Sequence, residues 1–397
     1  MWIYEDAILD SRRFEDASSS VAVMSYIRGA WPLLGGRSGV CRCLHRNQLS
    51  SSSSSVVLQS RCTDVFQNLA LEDWIDANVD LQQRSVLLLW RNHPAVVIGR
   101  HQNPWTECDL TAVRRMGIPL ARRRSGGGTV FHDLGNLNLT FFTSKKAYDR
   151  KRNLKVITDA LRSTAPGLDV HATDRLDILL NGRYKISGTA SRLSRKSSYH
   201  HCTLLHSADR SALSTVLRPS CPGIVSNATP SVPSPVANLL DHAPMLQWEE
   251  LVDVLVRQYN TEFGFSAVSA FVDPADESAF PGISRAAAEL RSWDWTFGKT
   301  PKFSVQTVLD LTDKESAVRS SAHLNMEVKH GFVNSCKLFV PDDWLPPHLS
   351  AALANALVGE RFCRRRASVC VAAVVCDSGD LRGRLRRLSD AVLSVMS

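Results

Sequence analysis

Residues 122–138 read RRRSGGGTVFHDLGNLN and place three consecutive glycines between two short apolar runs. Because glycine has no Cβ, a run of glycines lets main-chain N–H groups approach a ligand closely, although it loses more conformational entropy on folding. A loop that only connects two strands does not need this property. We therefore interpret the run as a ligand cradle, and a flexible surface loop is the alternative.

The glycine run matches neither of two common nucleotide-binding patterns. No Gly-Lys-Ser/Thr follows it, as a Walker A loop requires, and the Gly-x-Gly-x-x-Gly spacing of a dinucleotide fingerprint is absent. Nucleotide binding by another fold stays open. His132 and Asp133 are neighbours that point to opposite faces of a strand, as are His200 and His201, so we predict no metal site.

Length and composition indicate a globular protein of two or three domains. The apolar run Ala367–Cys376 is about half of a bilayer span, so we interpret it as a buried strand and expect no membrane association. Ten cysteines without a Cys-x-x-Cys pair favour a reducing compartment. The formal net charge is +8, of which residues 1–63 carry about +2, and clusters of arginines lie at 122–124, 364–366 and 382–387. They lack interleaved aromatic residues, which argues against nucleic acid and favours an acidic protein partner or solubility.

The N-terminal region has the composition of a mitochondrial transit peptide. Residues 17–63 contain no Asp or Glu, several arginines and a serine run. The first sixteen residues hold five acidic side chains, which presequences lack, so we expect Met24 to be the true start and residues 1–23 an upstream extension. The alternative is a disordered tail that carries no targeting signal. We expect the ordered protein to begin at Asp64, which can cap a helix.

A hairpin is predicted around Asn181-Gly182, which separates Asp177–Leu180 from Arg183–Ser187. It places Lys185 within a strand, where a partly buried ammonium group needs an anionic partner. The alternative is a lysine at a sheet edge that extends its ammonium into solvent. Other predicted strands lie at 86–90, 95–98, 118–122, 136–142 and 199–205, and predicted helices at 109–116, 154–164, 246–259 and 283–290.

Several motifs resemble, in order and spacing, the lipoate-protein ligase A and lipoyltransferase family, most closely its animal mitochondrial branch. They are residues 122–138, 175–177 with 185–190, 200–205, 94–105 and 293–303. The resemblance runs from Asp64 to the end of the chain and is least distinct in the C-terminal part. It implies an α+β fold with a large biotin/lipoate protein ligase-like domain of mixed β-sheets and flanking helices at 64–300. A small α+β accessory domain would follow at 301–397, and residues 1–63 would be a disordered N-terminus.

The resemblance also implies an activity. The chain would transfer a lipoyl group to the ε-amine of a specific lysine on apo lipoyl domains of 2-oxoacid dehydrogenase E2 subunits. The donor would be lipoyl-AMP, bound as substrate and not as a permanent cofactor, or the lipoylated glycine-cleavage H protein. The protein would act as a monomer in the mitochondrial matrix, without nucleic acid or membrane as partner.

Carried over residue by residue, the resemblance makes Lys185 the catalytic residue and an electrostatic stabiliser. Phe131 would pack on the acyl adenylate, Arg175 would contact its polar centre, and Thr203 would line the pocket. Val232 and Ser234 would lie along the adenylate, in a segment that departs from the more basic pattern of bacterial ligases. The remaining implied substrate-binding residues are Arg124, Ser125, Gly126, Gly127, Gly128, His132, Asn136, Gly188, Thr189 and Ala190.

Three other functions are open at this point. A complete ligase would activate free lipoate with ATP. An enzyme like the octanoyltransferases would use Cys221 as a thioester nucleophile, because Pro219–Gly223 resembles that site with an offset of one residue. A binding protein would keep the cradle without catalysis.

Overall fold

The computed structural model describes residues 54–219, 221–312, 320–376 and 381–396. The chain forms two compact units whose segments alternate along the sequence. The first unit contains residues 54–93, Asp133–Ala208 and Ser234–Ala287, and the second contains Pro94–His132, Asp209–Pro233 and 288–396. The domain ranges 64–300 and 301–397 stay a prediction.

The strands are, in chain order, β1 (Ser54–Ser60), β2 (Arg84–Trp90), β3 (Ala95–Ile98), β4 (Leu120–Arg122), β5 (Val130–His132), β6 (Asn136–Ser144), β7 (Val170–Ala172), β8 (Ile178–Leu180), β9 (Tyr184–Ser187), β10 (Thr189–Leu193), β11 (Ser197–Leu205), β12 (Ile224–Ser226), β13 (Val268–Val272), β14 (Phe303–Asp310), β15 (Ser321–Lys329) and β16 (Phe332–Phe339). The helices are α1 (Val65–Asn78), α2 (Pro104–Glu107), α3 (Leu110–Arg115), α4 (Arg150–Thr164), α5 (Arg210–Val216), α6 (Trp248–Phe263), α7 (Ile283–Arg291), α8 (Trp293–Thr296), α9 (Pro347–Leu357), α10 (Arg364–Cys376) and α11 (Arg382–Ser394). This mixture of sheets and helices confirms the predicted α+β class.

A six-stranded sheet forms the frame of the first unit, in the order β10-β11-β6-β2-β1-β13. The strand β1 pairs in parallel with β2 and β13, and the other pairs are antiparallel. The apolar faces of α4 and α6 share one core with alternate residues of the sheet, such as Leu87, Leu139 and Leu204. A small sheet, β7-β8-β9, contributes Ile178 and Ile186 to the same core.

The strand β1 corrects the expectation that the ordered protein begins at Asp64. Val56, Val57 and Leu58 are almost fully buried, and β1 lies between two partner strands in the sheet. The serine-rich composition hid this strand, because three apolar residues are too short a run to stand out from their surroundings. The predicted disordered segment therefore extends too far, and the part of it before residue 54 lies outside the described residues.

Local sequence signals were reliable in this unit. Asp64 caps α1, since its Oδ1 accepts hydrogen bonds from the amides of Phe66 and Gln67 at 2.8 and 3.0 Å. The hairpin forms at Asn181-Gly182, where both residues have positive φ, 53° and 63°. The connection is one residue longer than predicted, because Leu180 pairs with Tyr184 and Arg183 belongs to the turn. This turn fixes the position of β9 and therefore of Lys185.

His200 is a buried histidine in β11, on the core side of the sheet. The Nδ2 group of Asn153 donates to His200 Nδ1 at 3.2 Å, and the ring stacks on Phe141. Removal from water, with smaller effects from His201 and Arg150, lowers the pKa of His200 to about 3. The folded protein therefore holds this side chain neutral.

We expect the free energy of unfolding to decrease as the pH falls from about 6.5 towards 3, because the unfolded chain gains a proton that folded His200 rejects. One such group contributes roughly 1.4 kcal/mol per pH unit in that window. Urea unfolding at pH 7 and pH 5 measures it. The control is His200→Gln, whose side-chain oxygen can still accept from Asn153. Equal pH dependence in the two proteins would contradict the assignment.

The second unit contains two sheets, β4-β3-β5 and β12-β14-β15-β16. Its core joins residues of both sheets to α3, α5 and the three C-terminal helices. Trp105 lies inside this core, with ring centroids 5.2–5.3 Å from those of Phe297, Phe303 and Phe362. These aromatic contacts hold the segment after β3 against the C-terminal part of the unit.

The predicted strand at Ala367–Cys376 is wrong, because these residues belong to the helix α10. Ala367 and Val371 are its buried residues, four positions apart, and this is the spacing of one helix face. A short apolar run does not distinguish a strand from a helix. Across the residues described, none of the helices combines the length and apolarity needed to cross a bilayer.

Candidate active site

Lys185 lies in β9, immediately after the hairpin turn. Its amide donates to the carbonyl oxygen of Pro235 at 2.8 Å. Because β9 also pairs with β8, main-chain contacts hold the strand at both of its edges. The side chain is only 26% exposed, and its Nζ lies 2.8 Å from Oδ1 of Asp177. The predicted anionic partner is therefore present. It is Asp177, which lies in the turn before β8.

Gly188 leaves the space that the Lys185 side chain occupies. A Cβ on Gly188 would lie 3.0 Å from Cε and 3.2 Å from Nζ of Lys185. The Gly188 amide donates to Oγ1 of Thr203 at 3.1 Å, and its carbonyl accepts from the Thr203 amide at 3.0 Å. The structure thus brings Lys185, Gly188 and Thr203 together, as the resemblance implied.

The turn before β8 positions Asp177. Leu176 has a φ of +67°, an uncommon conformation for a leucine, and its side chain is buried in the core. The Leu176 carbonyl accepts from Thr189 Oγ1 at 3.1 Å, and the Asp177 amide donates to Thr173 Oγ1 at 3.2 Å. Arg175 lies exposed on this turn. Asp177 had no predicted role, although its place in the Arg175–Asp177 motif was a usable signal.

Asn136 Oδ1 and Ser187 Oγ are among the buried side-chain atoms of the first unit for which the described residues provide no hydrogen-bond partner. Asn136 is fully buried, and its Nδ2 donates to Oδ1 of Asn138 at 3.1 Å. Buried polar atoms normally have a partner, so a bound polar group is the expected occupant of these positions. The observation is consistent with Asn136 as a binding residue.

The glycine loop belongs to the second unit, between β4 and β5. Arg123 is buried and holds the loop from inside, because its guanidinium donates to the carbonyl oxygens of Gly126 and Gly128 at 2.6 and 2.7 Å. It also donates to Ser125 Oγ at 3.0 Å and to the Val97 carbonyl at 3.1 Å. Gly127 has a φ of +83°, which glycine adopts without strain. None of the described residues accepts a hydrogen bond from the three glycine amides.

Arg122 is also buried, and this corrects the interpretation of residues 122–124 as a surface docking cluster. Its guanidinium donates to the carbonyl oxygens of Gly99, Arg100, Gln102 and Thr296 and to Oγ1 of Thr300, at 2.7–3.2 Å. Burial lowers its pKa to about 10, so the side chain stays protonated at neutral pH. Both Arg122 and Arg123 act as internal supports of the loop.

The segment after β12 contacts the glycine loop through Ser231. The Thr129 amide donates to Ser231 Oγ at 2.8 Å, and Ser231 Oγ donates to the carboxylate of Glu107. Val232 and Ser234, the residues named by the resemblance, are exposed. Sequence reasoning missed Ser231 because nothing in a Pro/Ser-rich loop indicates which serine faces inward.

The other predicted residues of the second unit differ in exposure. Arg124 reaches the surface, where it pairs with Glu289 at 3.1 Å and covers the ring of Trp295. Phe131 and His132 are buried, and Phe131 is part of the hydrophobic core. Cys221 is buried in that core as well, and its role as a thioester nucleophile stays a prediction.

The hairpin and the loop suit the same kind of chemistry. A fixed ammonium group stabilises negative charge that develops on an oxygen during a reaction, and main-chain amides held outward bind an anion. In both places the supporting contacts are short and at least partly buried, so the groups are already positioned when charge appears. The arrangement is suited to acyl or phosphoryl transfer.

Comparisons with known proteins agree with this geometry. Residues 64–260 match the family described as the lipoyl protein ligase A/B catalytic domain. The human protein named lipoyl amidotransferase LIPT1, mitochondrial, is 48% identical over 78% of this chain and 83% of its own. The crystal structure of Plasmodium falciparum LipL1 in complex with lipoate superposes with a TM-score of 0.54 at 23% identity, covering 86% of this chain and 99% of that one. An archaeal bipartite lipoate protein ligase from Thermoplasma acidophilum, solved with its E2 lipoyl domain, gives 0.51 at 23% identity, covering 62% and 96%.

Proposed function

Since the chain belongs to the lipoyl protein ligase A/B catalytic domain family and is a lipoyl acyltransferase, we propose that it modifies a specific lysine of lipoyl domains in 2-oxoacid dehydrogenase E2 subunits. The proposed donor is lipoyl-AMP or the lipoylated glycine-cleavage H protein. The name of the human relative, an amidotransferase, supports transfer in preference to activation of free lipoate. The E2 lipoyl domain in the archaeal structure supports the acceptor class.

The observation that carries the proposal is the fixed ammonium group of Lys185. In the proposed reaction the neutral ε-amine of the acceptor lysine attacks the lipoyl carbonyl carbon. With lipoyl-AMP as donor, a C–N bond forms, the bond from that carbon to the leaving oxygen of AMP breaks, and the attacking nitrogen releases a proton. With lipoylated H protein as donor, the bond from that carbon to the nitrogen of the donor's lysine breaks instead, and that nitrogen takes up a proton. Negative charge grows on the carbonyl oxygen and then on the phosphate, and Lys185 stabilises both.

Asp177 is proposed as a positioning residue for this step. Its carboxylate holds Lys185 Nζ at 2.8 Å, and the hydrogen-bonded turn around Leu176 fixes the carboxylate in turn. Gly188 keeps the neighbouring space open for the lysine side chain. Within the same unit, the unpartnered oxygen of Asn136 is proposed to bind a polar group of the donor.

The mitochondrial matrix is the proposed location. The composition of residues 17–63 and the mitochondrial relative support it. Fusing a reporter to residues 24–53, which end before β1 begins, tests whether this segment directs import into mitochondria. A reporter that stays in the cytosol would contradict this location.

The function is tested by the intact mass of an apo lipoyl domain incubated with the full chain. Parallel reactions contain lipoyl-AMP, lipoylated H protein, or lipoate with ATP, and each is repeated with Lys185→Ala. We expect a lipoyl mass gain with the first or second donor and none with the third. A gain with lipoate and ATP would instead show a complete ligase, and no gain with any donor would favour the non-catalytic binding protein.

A further inference from the structure

The end of the glycine loop that leads into β5 is joined to a second segment of the same unit. The Thr129 amide donates to Ser231 Oγ at 2.8 Å, and Gln102 Nε2 donates to the same oxygen at 3.1 Å. Ser231 Oγ in turn donates to the carboxylate of Glu107, whose Oε1 also accepts from the Ser231 amide at 3.3 Å. Ser231 is therefore the residue through which the segment after β12 holds the loop.

The side chains that bind Ser231 are themselves held in place. Glu107 and Gln102 are both buried. Gln102 Oε1 accepts from the Gly99 amide at 2.8 Å and from Thr129 Oγ1 at 2.9 Å. A hydrogen bond to a carboxylate is charge-assisted and about twice as strong as one between neutral groups. The partners of Ser231 are therefore buried groups of fixed orientation, and one of them is a strong acceptor.

Two glycines leave the space that this arrangement needs. A Cβ on Gly128 would lie 3.1 Å from Ser231 Oγ, which is closer than an ordinary van der Waals contact. A Cβ on Gly99 would overlap the carbonyl oxygen of Gly127, so the loop can lie against the segment after β3 only because residue 99 has no side chain. Close packing of the loop against its neighbours thus accounts for glycine at positions 99 and 128.

We infer that Glu107 and Ser231 form a latch, a pair of positioning residues that keeps the glycine loop in the shape in which its amides bind an anion. Arg123 holds the loop from inside, and the latch fixes the end at Thr129. Without the latch, only a fraction of the molecules would hold that shape, and the apparent affinity for an anion would fall to the same fraction. The inference rests on the proposed function in the choice of AMP, the leaving group of that reaction, as the anionic probe.

Binding of AMP to the full chain, measured by calorimetry, tests the latch. Ser231→Ala removes the shared oxygen, and Glu107→Met removes the carboxylate but keeps a side chain of similar length. Each should weaken AMP binding at least about tenfold, the change expected when one hydrogen bond to a charged group is lost. The double variant should bind no more weakly than the weaker single variant, because the two residues act as one unit. Glu107→Gln keeps an oxygen that can accept from Ser231 Oγ, so it should bind AMP more tightly than Glu107→Met does.

Hydrogen exchange separates the latch from a general structural role. The Thr129 amide should exchange at least about tenfold faster in Glu107→Met, although its acceptor Ser231 Oγ is still present, and amides in β14–β16 should exchange at unchanged rates. Ser214→Ala is the control, since this exposed hydroxyl donates only within α5, and both readouts should match wild type.

Neither readout needs lipoyl transfer, so a failure of the proposed function would leave this test intact. Ser231→Ala removes a single oxygen atom and keeps the test available if Glu107→Met does not fold. The inference would be overturned by a wild-type chain that does not bind AMP, by unchanged AMP affinity in the latch variants, or by additive losses in the double variant. Exchange that becomes equally faster throughout the second unit would also overturn it.

Discussion

Replacing Lys185 with alanine is expected to lower the rate of lipoyl transfer by about 10²–10³-fold while the protein stays folded. The loss follows because Lys185 Nζ is the fixed positive charge of the hairpin, and alanine removes it without disturbing the main-chain hydrogen bond to Pro235. Asp177 remains partly exposed and hydrated, so stability should change by less than about 1 kcal/mol. Single-turnover transfer from lipoyl-AMP, followed by intact mass, measures the rate.

The matched control is Arg183→Ala, which removes an exposed cation from the same hairpin. Near-normal transfer in this variant would show that the rate depends on the position of the Lys185 ammonium group and not on the net charge of the hairpin. Gly188→Ala is the complementary variant, since its Cβ would displace the lysine side chain without removing it. A misplacement of this kind can reduce the rate by up to about 10²-fold. Rapid transfer by Lys185→Ala would refute the catalytic assignment.

Replacing Arg122 with methionine is expected to destabilise the protein by more than about 4 kcal/mol. The methionine fills a similar volume but leaves the carbonyl oxygens of Arg100, Gln102 and Thr296 without their donor, whereas the Gly99 carbonyl still accepts from the Gln102 amide at 3.1 Å. Each buried acceptor that loses its partner contributes roughly 1–3 kcal/mol. Urea unfolding midpoints measure the change, and soluble yield reports it if the variant does not fold.

Arg124→Met provides the control two positions away. Its partly exposed side chain pairs with Glu289 and covers the ring of Trp295, and near the surface such contacts contribute at most about 1 kcal/mol each. Arg122→Lys is a second variant, since an ammonium group can satisfy some but not all of the same acceptors. Similar stability losses in Arg122→Met and Arg124→Met would show that the buried hydrogen bonds of Arg122 do not stabilise the protein more than the contacts of Arg124 do.

The sequence allowed accurate prediction wherever the controlling interaction is local. Helix caps such as Asp64 and the Asn181-Gly182 turn depend on residues within a few positions of each other, and both form as predicted. The need of Lys185 for an anionic partner also follows from burial alone. The partner, Asp177, could not be chosen in advance because the turn that aims it depends on Leu176 in an uncommon conformation.

The roles of the arginines could not be predicted in this way. Arg122, Arg123 and Arg124 are chemically identical neighbours, yet two are buried and one is on the surface. The difference depends on acceptors such as Thr296, which is 174 residues further along the chain. The role of Ser231 could not be predicted for the same reason, because its partner Glu107 lies 124 residues earlier in the chain. Sequence patterns describe a side chain's chemistry but not which distant segment will meet it.

The alternation of segments between the two units has a consequence for synthesis on the ribosome. Residues 94–132 emerge long before residues 288–396, yet both belong to the second unit. The guanidinium of Arg122 therefore cannot donate to Thr296 and Thr300 until most of the chain has been translated. Until then the glycine loop lacks the support that Arg122 gains from Thr296 and Thr300. A chain that ends between Ala287 and Thr296 contains all of the first unit but none of the acceptors that Thr296 and Thr300 provide for Arg122.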